Sequence, residues 1–291
     1  MSSQLVQFLF SGLTVGAMYA LAALGYALIY NASHLVNFAQ GEFIMLGAMV
    51  ASVMVEARLP LPVAIAAGIA AATATGVLME RLAIRPARGA PHITLLIITL
   101  GVALVIRGAV QVVLGKGNHG LPPFSGEAPV HFAGATLSSQ SLWVFGVTIA
   151  IVLLLAWYFG RTRSGKAMLA TSHNALAARL VGIDTQWVLM GSFAMSGALG
   201  AIGGVLVAPI TFTSYDAGVV LGVKGFAAAA LGGLGSGPGA IVGGLLLGVL
   251  EALTAGYLSA AYKDVVAYLA ILLVFIFLPR GLFGGQRTDR V

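Results

Sequence analysis

Charge is scarce in this sequence, and the scarcity sets the class before any motif is read. Only 8% of the 291 residues are Asp, Glu, Lys or Arg, against roughly 25% in ordinary soluble domains. A soluble chain of this length needs polar side chains to cover its surface, and too few are present. Cysteine is missing altogether, which excludes disulfides, thiolate metal sites and cysteine nucleophiles. Met1 to Phe8 carry no Lys or Arg, so a cleaved leader with a basic start is not expected. Catalytic patterns are absent as well. The five histidines, His34, His92, His119, His131 and His173, form no i, i+4 pair and no HExxH spacing. No serine sits in a GxSxG setting, and no acid pair can be nominated for a membrane-embedded hydrolase.

What is present is apolar and small. Hydrophobic residues make up 59% of the chain and glycine fills 39 positions, with a mean hydropathy of +1.00. Small residues let helices approach closely where lipid removes the hydrophobic drive for association. A disordered Gly-rich chain would be polar instead. The expected fold is all-α: residues 1–291 form a single polytopic transmembrane helical bundle.

A helix needs about 20 apolar residues to cross hydrocarbon. Long segments run at 8–30, 61–80, 92–114, 142–160, 187–208 and 239–257, with a shorter one at 265–278. Segments 43–57 and 224–234 are too short to cross alone unless tilted or flanked by irregular backbone. The expectation is eight or nine membrane-embedded segments. The net charge of +6 reads as topology and not as nucleic-acid binding. Arg81, Arg85, Arg88, Arg161, Arg163, Lys166, Arg179, Arg280, Arg287 and Arg290 share one side, assigned to the cytoplasm. Arg58, Lys116, Lys224 and Lys263 fall on the other, and Arg107 is left inside a span. The C-terminus is therefore expected inside. Nine crossings put the N-terminus outside; two short helices in place of the first segment would reverse that end.

The outer loop 115–141, with Pro122, Pro123, Gly126 and Pro129, is expected to be an irregular or hairpin-like cap. It separates half-repeats at about 1–114 and 142–280. Each half has a break between apolar helices: Asn37-Phe38-Ala39-Gln40-Gly41-Glu42 in the first, Gly232 to Gly239 in the second. Breaks at matching positions point to a transport pathway, because irregular backbone at membrane depth survives only when buried or lining a cavity. Ordinary surface loops are the alternative. Asn37, Gln40, Glu42, Gly233, Gly235 and Gly237 are candidate pathway residues on this ground.

Charges inside spans are costly and tend to be functional. Glu42, Arg107 and Glu251 are the three candidates. Glu42 at a helix start also fits a role at the helix dipole. Arg107 either snorkels outward or pairs with a carboxylate, and Glu251 is the partner nominated for it. Structural pairing and pathway lining are both open for each.

Gly160-Arg161-Thr162-Arg163-Ser164-Gly165-Lys166 has the Gly-x4-Gly-Lys spacing of a phosphate-binding loop, but Ala167 follows where a hydroxyl would hold Mg²⁺. An apolar span precedes it instead of a strand, so the basic residues read as inside anchors. The segment 161–186 is the longest inside loop. Asn174 to Val181 reads as a short amphipathic helix with Leu176 and Leu180 on one face, ended by Gly182. Such a helix has nothing of its own to bury against. A partner surface or the lipid interface would cover it.

Several runs resemble the branched-chain amino acid ABC-transporter permease family. They are Tyr19-Ala20-Leu21 with Gly25-Tyr26 and Tyr30, then Asn37 to Glu42 with Gly47, then Ala178-Arg179-Leu180-Val181-Gly182-Ile183-Asp184-Thr185. Gly232 to Ser236 with Gly239-Ala240, and the tail Pro279 to Gly284, complete a set that covers nearly the whole chain in order. Gln40 stands where the family often has histidine, which argues against an essential titration there. The resemblance implies a multi-pass subunit of the bacterial inner membrane, paired with a second, homologous permease. It further implies two cytoplasmic ATPase subunits and a periplasmic substrate-binding protein. The loop 161–186 would be the coupling segment that docks on an ATPase, through Asn174, Ala177, Arg179, Leu180, Gly182, Ile183 and Asp184. No cofactor is expected in this chain, ATP and Mg²⁺ being used by the partner. The alternatives are a permease for urea or short amides and an ATPase-independent carrier or channel.

Overall fold

The computed structural model describes residues 2–126, 128–132, 135–278 and 280–284; Pro279, Arg287 and Arg290 of the expected tail lie outside the described residues. The helices are α1 (Ser2–Ser33), α2 (Gln40–Glu56), α3 (Leu61–Met79), α4 (His92–Val113), α5 (Ser139–Arg161) and α6 (Arg163–His173). They continue as α7 (Ala175–Leu180), α8 (Thr185–Thr211), α9 (Ala217–Gly232), α10 (Gly237–Tyr257) and α11 (Lys263–Phe277). A π-helical turn, Glu80–Ile84, prolongs α3. Among the described residues, seven helices are long and apolar enough to cross a membrane. With the shorter α2 (17 residues) and α9 (16 residues) packed among them, the described residues hold nine helices that correspond to the eight or nine segments expected. The first segment is a single helix, not two short ones.

Contacts define two ends. At the cap end, strands β1 (Val130–Phe132) and β2 (Ala135–Leu137) form an antiparallel hairpin, as the prolines of this loop suggested. Thr136 exchanges hydrogen bonds with Gln7 of α1, and His119 lies 2.9 Å from Glu56 at the close of α2. At the loop end, Arg85 donates to Gln186 at the start of α8 (2.5 Å), and Asn31 of α1 donates to Gly235 (2.7 Å). The basic residues after α3 thus share an end with the 161–186 loop and with Arg280, whose backbone lies against Gly233.

Helix α1 is the buried axis, packed on α8, α9 and α10. Its seam with α10 is made of small residues: a Cβ on Gly248 would collide with the Gly16 backbone, and one on Gly244 with Ala20. Close backbone approach replaces hydrophobic drive in lipid. Helices α2, α3 and α8 pack in the same way, Gly68 against Gly47 and Gly197 against Ala72. Helices α5 and α11 are mostly exposed at the rim.

Two expectations need correction. Lys224 is not in an outer loop. It sits inside α9, 4% exposed, because the apolar run Ala217 to Val223 carries the helix seven residues further back and its charge is paired within the bundle. The loop 161–186 holds two helices, not one. Thr162 caps α6 by accepting from Gly165 N, and Asn174 caps α7 by accepting from Ala177 N.

Candidate translocation site

Helix α1 ends at His34, whose φ of 55° breaks the helix. The chain then returns alongside α1, so that Gln40 reaches Gly25, where a Cβ would strike its amide. Helix α2 therefore begins level with Gly25, about two turns before the end of α1. Asn37 starts the turn: its Oδ1 accepts from Ala39 N (3.1 Å) and its carbonyl from Gln40 N (3.2 Å). Gln40 Nε2 donates to Ser196 O (3.2 Å), while Ser196 Oγ lies within hydrogen-bond reach of Gln40 Oε1 and of Gly25 O. Gln40 is fully buried and locks α2 to α1 and α8.

Glu42, 2% exposed, pairs with Arg107 Nη2 from α4. The sequence left Glu251 as a partner for Arg107; the structure gives Glu42 instead. Arg107 turns inward with 26% of its side chain exposed. Glu42 lies in the first turn of α2 and is not its N-cap, which is Ala39. Its Oε2 faces Gly218, in the first turn of α9, where a Cβ would come within 2.8 Å of it. The first turns of α2 and α9 meet here, Gly41 against Gly218 and Gly222, and their dipoles favour a carboxylate. Glu42 Oε2, Arg107 Nε and Asn37 Nδ2 are buried with no hydrogen-bond partner. This cluster keeps unused polar valence.

Glu251 belongs to a second cluster that sequence reading missed. Its Oε2 accepts from Tyr19 (2.8 Å) and from Lys224 (3.2 Å), and Lys224 Nζ also stands 3.1 Å from Oε1. Lys224 reaches Asp264 of α11 as well, at 2.7 Å. The group joins α1, α9, α10 and α11. Tyr19 lies in a run used only for the family resemblance, and Lys224 read as a segment boundary.

Gly233, Gly235 and Gly237 lie apart from both clusters, at the loop end. Gly233 has φ +105°, which only glycine adopts without strain. The tail caps this turn: Leu282 N donates to Leu231 O and Phe283 N to Gly232 O, both at 2.9 Å.

In the loop, Gly182 (φ +87°) ends α7, and Ile183 N donates to Ala178 O. Asp184 caps α8 by accepting from Gln186 and Trp187 N. Arg179 Nε donates to Thr185 Oγ1 (2.8 Å), which ties α7 to α8. Ala178 is buried, while Leu176, Leu180 and Val181 stand 69%, 82% and 77% exposed. The corner is rigid and presents an apolar ridge.

Seven helices long and apolar enough to span a membrane, two shorter ones packed among them, and a buried ion pair where the short helices meet are the build expected of a membrane transport permease. In fold, the chain is similar to a structure titled "PsaBC from Streptococcus pneumoniae in complex with Fab". The TM-score is 0.52, identity is 16%, and the match covers 97% of this chain and 98% of that one. Residues 8–275 match the family described as "Branched-chain amino acid transport system / permease component". The chain is 35% identical, over all of both chains, to the high-affinity branched-chain amino acid transport system permease protein LivH of Escherichia coli. It is 33% identical, over 98% of each, to the corresponding permease protein BraD of Pseudomonas aeruginosa. The chain belongs to the branched-chain amino acid transport permease family.

Proposed function

We propose that this chain is one of two related membrane-spanning subunits of an ATP-driven importer for branched-chain amino acids in a bacterial inner membrane. The loop end faces the cytoplasm, as its basic residues favour, and the cap end meets a substrate-binding protein. The observation that carries the reading, beyond kinship with LivH and BraD, is the face around residues 34–39. Irregular backbone there runs back beside the last two turns of α1 to the level of Gly25, with Phe38 37% exposed. Backbone of this kind is not tolerated against lipid, so a second permease subunit or the aqueous pathway covers it.

On this reading the pathway runs past Asn37, Glu42 and Arg107, which retain polar atoms to offer. Gln40 shapes the wall, and Gly233, Gly235 and Gly237 form the turn at its cytoplasmic end. Glu251 fixes the neighbouring helices. The α7 ridge, held by Asn174, Ala177, Arg179, Gly182, Ile183 and Asp184, presents Leu180 to an ATPase subunit. Closure of the ATPase dimer then shifts the permease pair between two global states. ATP-dependent uptake of labelled leucine into proteoliposomes tests the proposal. Uptake is expected only with both permeases, the ATPases and the binding protein present. Leucine uptake by this chain alone, without ATP, would overturn it in favour of a carrier or channel.

A further inference from the structure

On the side of α1 away from the ion pair lies a partly open cleft of about 330 Å³, bounded by α1, α5, α6 and α10. Ala22 and Tyr26 point toward α9, whereas Leu24, Ala27 and Leu28 line the cleft. Residues two positions apart on a helix face nearly opposite ways, so the cleft lies across α1 from the Glu42–Arg107 site and meets the proposed route only at its cytoplasmic end, where Gly235 and Gly237 belong to both. Its volume is at the lower end of the roughly 300–1,000 Å³ of ligand pockets. Its walls are apolar except for the side chains of Asn31, Ser172 and Ser192. Each already donates one hydrogen bond: Asn31 to Gly235 O, Ser172 to Leu169 O and Ser192 to Val188 O. No charged side chain lines the cleft to hold an amino-acid zwitterion, and the acceptor oxygens that one amide and two hydroxyls still offer do not replace one. A hydrocarbon chain is the occupant this lining fits.

The charge beside it is of one sign. Phe159 and Met168 both line the cleft, and the exposed basic residues Arg161, Arg163 and Lys166 lie between them in the chain, with no acid from Phe159 to Ile183. Basic pockets between helices at the cytoplasmic surface recognise anionic headgroups. We propose that this cleft holds one acyl chain of an anionic phospholipid whose headgroup phosphate is bound by Arg161, Arg163 and Lys166. The bound lipid would fill the space under α6 and brace the start of the coupling loop against α1.

Native mass spectrometry of the full chain in mild detergent tests this with phosphatidylglycerol and phosphatidylcholine of identical acyl chains, supplied separately. One phosphatidylglycerol per chain should survive activation that strips phosphatidylcholine, with occupancy higher by about tenfold or more. Ala156→Trp, which fills the cleft from α5, should abolish retention, and Arg161→Gln with Arg163→Gln and Lys166→Gln should erase the preference. Should Ala156→Trp fail to fold, phosphatidylglycerol with a photoreactive acyl chain should label wild-type peptides containing Leu155 or Leu169. Equal occupancy of the two lipids, retention in folded Ala156→Trp, or labelling confined to other helices would each overturn the proposal. Displacement of the lipid by leucine would overturn it too, by placing the cleft on the substrate route.

Discussion

The Glu42–Arg107 pair and the Lys224–Glu251–Asp264 group each fasten a helix shorter than a full span, α2 in one case and α9 in the other. They are built differently. Lys224 is surrounded: two carboxylates and the Tyr19 ring at 5.6 Å share one ammonium, and Tyr19 adds a hydrogen bond to Glu251. In the first pair one guanidinium meets one carboxylate, and an oxygen, a guanidinium nitrogen and the Asn37 amide remain unbonded. A buried polar atom without a partner costs stability. The cost is borne where two helix starts meet, beside exposed Phe38. Glu251 Oε1 and Asp264 Oδ1 of the second group also lack a hydrogen bond, yet each lies against the Lys224 ammonium, at 3.1 and 2.7 Å, and a charge shared in this way suits a structural clasp. On the proposed function, the unbonded Asn37 amide and Glu42 oxygen are the atoms left to meet a solute passing the first pair.

Removing the cation should damage both clusters, and this is the largest effect expected. Arg107→Met leaves Glu42 buried without a counter-charge, and Lys224→Met does the same to Glu251. Breaking a buried ion pair from one side costs about 3–5 kcal/mol. Both variants should show a strongly lowered melting temperature in detergent. A melting temperature unchanged in Lys224→Met would mean that α11 is not held by this group.

Removing both charges should separate the clusters. Replacing a whole buried pair by neutral groups of similar volume is often close to neutral for stability. Glu42→Gln with Arg107→Met, and Lys224→Met with Glu251→Gln, should each regain most of the lost melting temperature. Transport should return only in the second, since Asp264 is partly exposed and tolerates the loss. If the first double variant also transports leucine normally, Glu42 and Arg107 are structural, and the contrast drawn between the clusters fails.

This contrast was only half legible in the sequence. Apolar length located α4 and α10 to within two residues at each end, because a membrane span announces itself by composition. Glu42, Arg107 and Glu251 stood out as charges inside spans, yet their pairing depends on which helices lie side by side. Glu42 is 65 positions from Arg107, and nothing in the chain distinguishes it from Glu251 as a partner. Lys224 misled for the opposite reason. A lysine beside an apolar run reads as the edge of a span, and only its partners 27 and 40 positions on show that it is interior. Helix α6 was hidden by Gly160 and Gly165, which resemble a phosphate loop, although Thr162 is an ordinary helix cap.

A smaller effect tests whether the loop corner is as rigid as its hydrogen bonds imply. Asp184→Ala removes the cap that accepts from Gln186 and Trp187 N, at a cost of about 0.5–2 kcal/mol. The melting temperature should fall modestly, and ATP hydrolysis stimulated by the assembled importer should fall further than stability alone explains. Equal losses in both would reduce Asp184 to a stabilising cap.

The smallest stability effect should come with a functional loss as large as that of either ion-pair variant. Leu180 is 82% exposed, so Leu180→Ser should change stability by no more than about 0.5 kcal/mol. If the ridge of Leu176, Leu180 and Val181 is the surface an ATPase grips, the same change removes apolar contact at the centre of that interface. Stimulated ATP hydrolysis and leucine uptake should fall together, while the affinity of the binding protein for leucine stays the same. Normal stimulation in an assembled Leu180→Ser complex would leave the ridge facing lipid headgroups instead. The loop would then differ from the ion-pair clusters in position alone, and the coupling surface would have to be sought among the basic residues after α3.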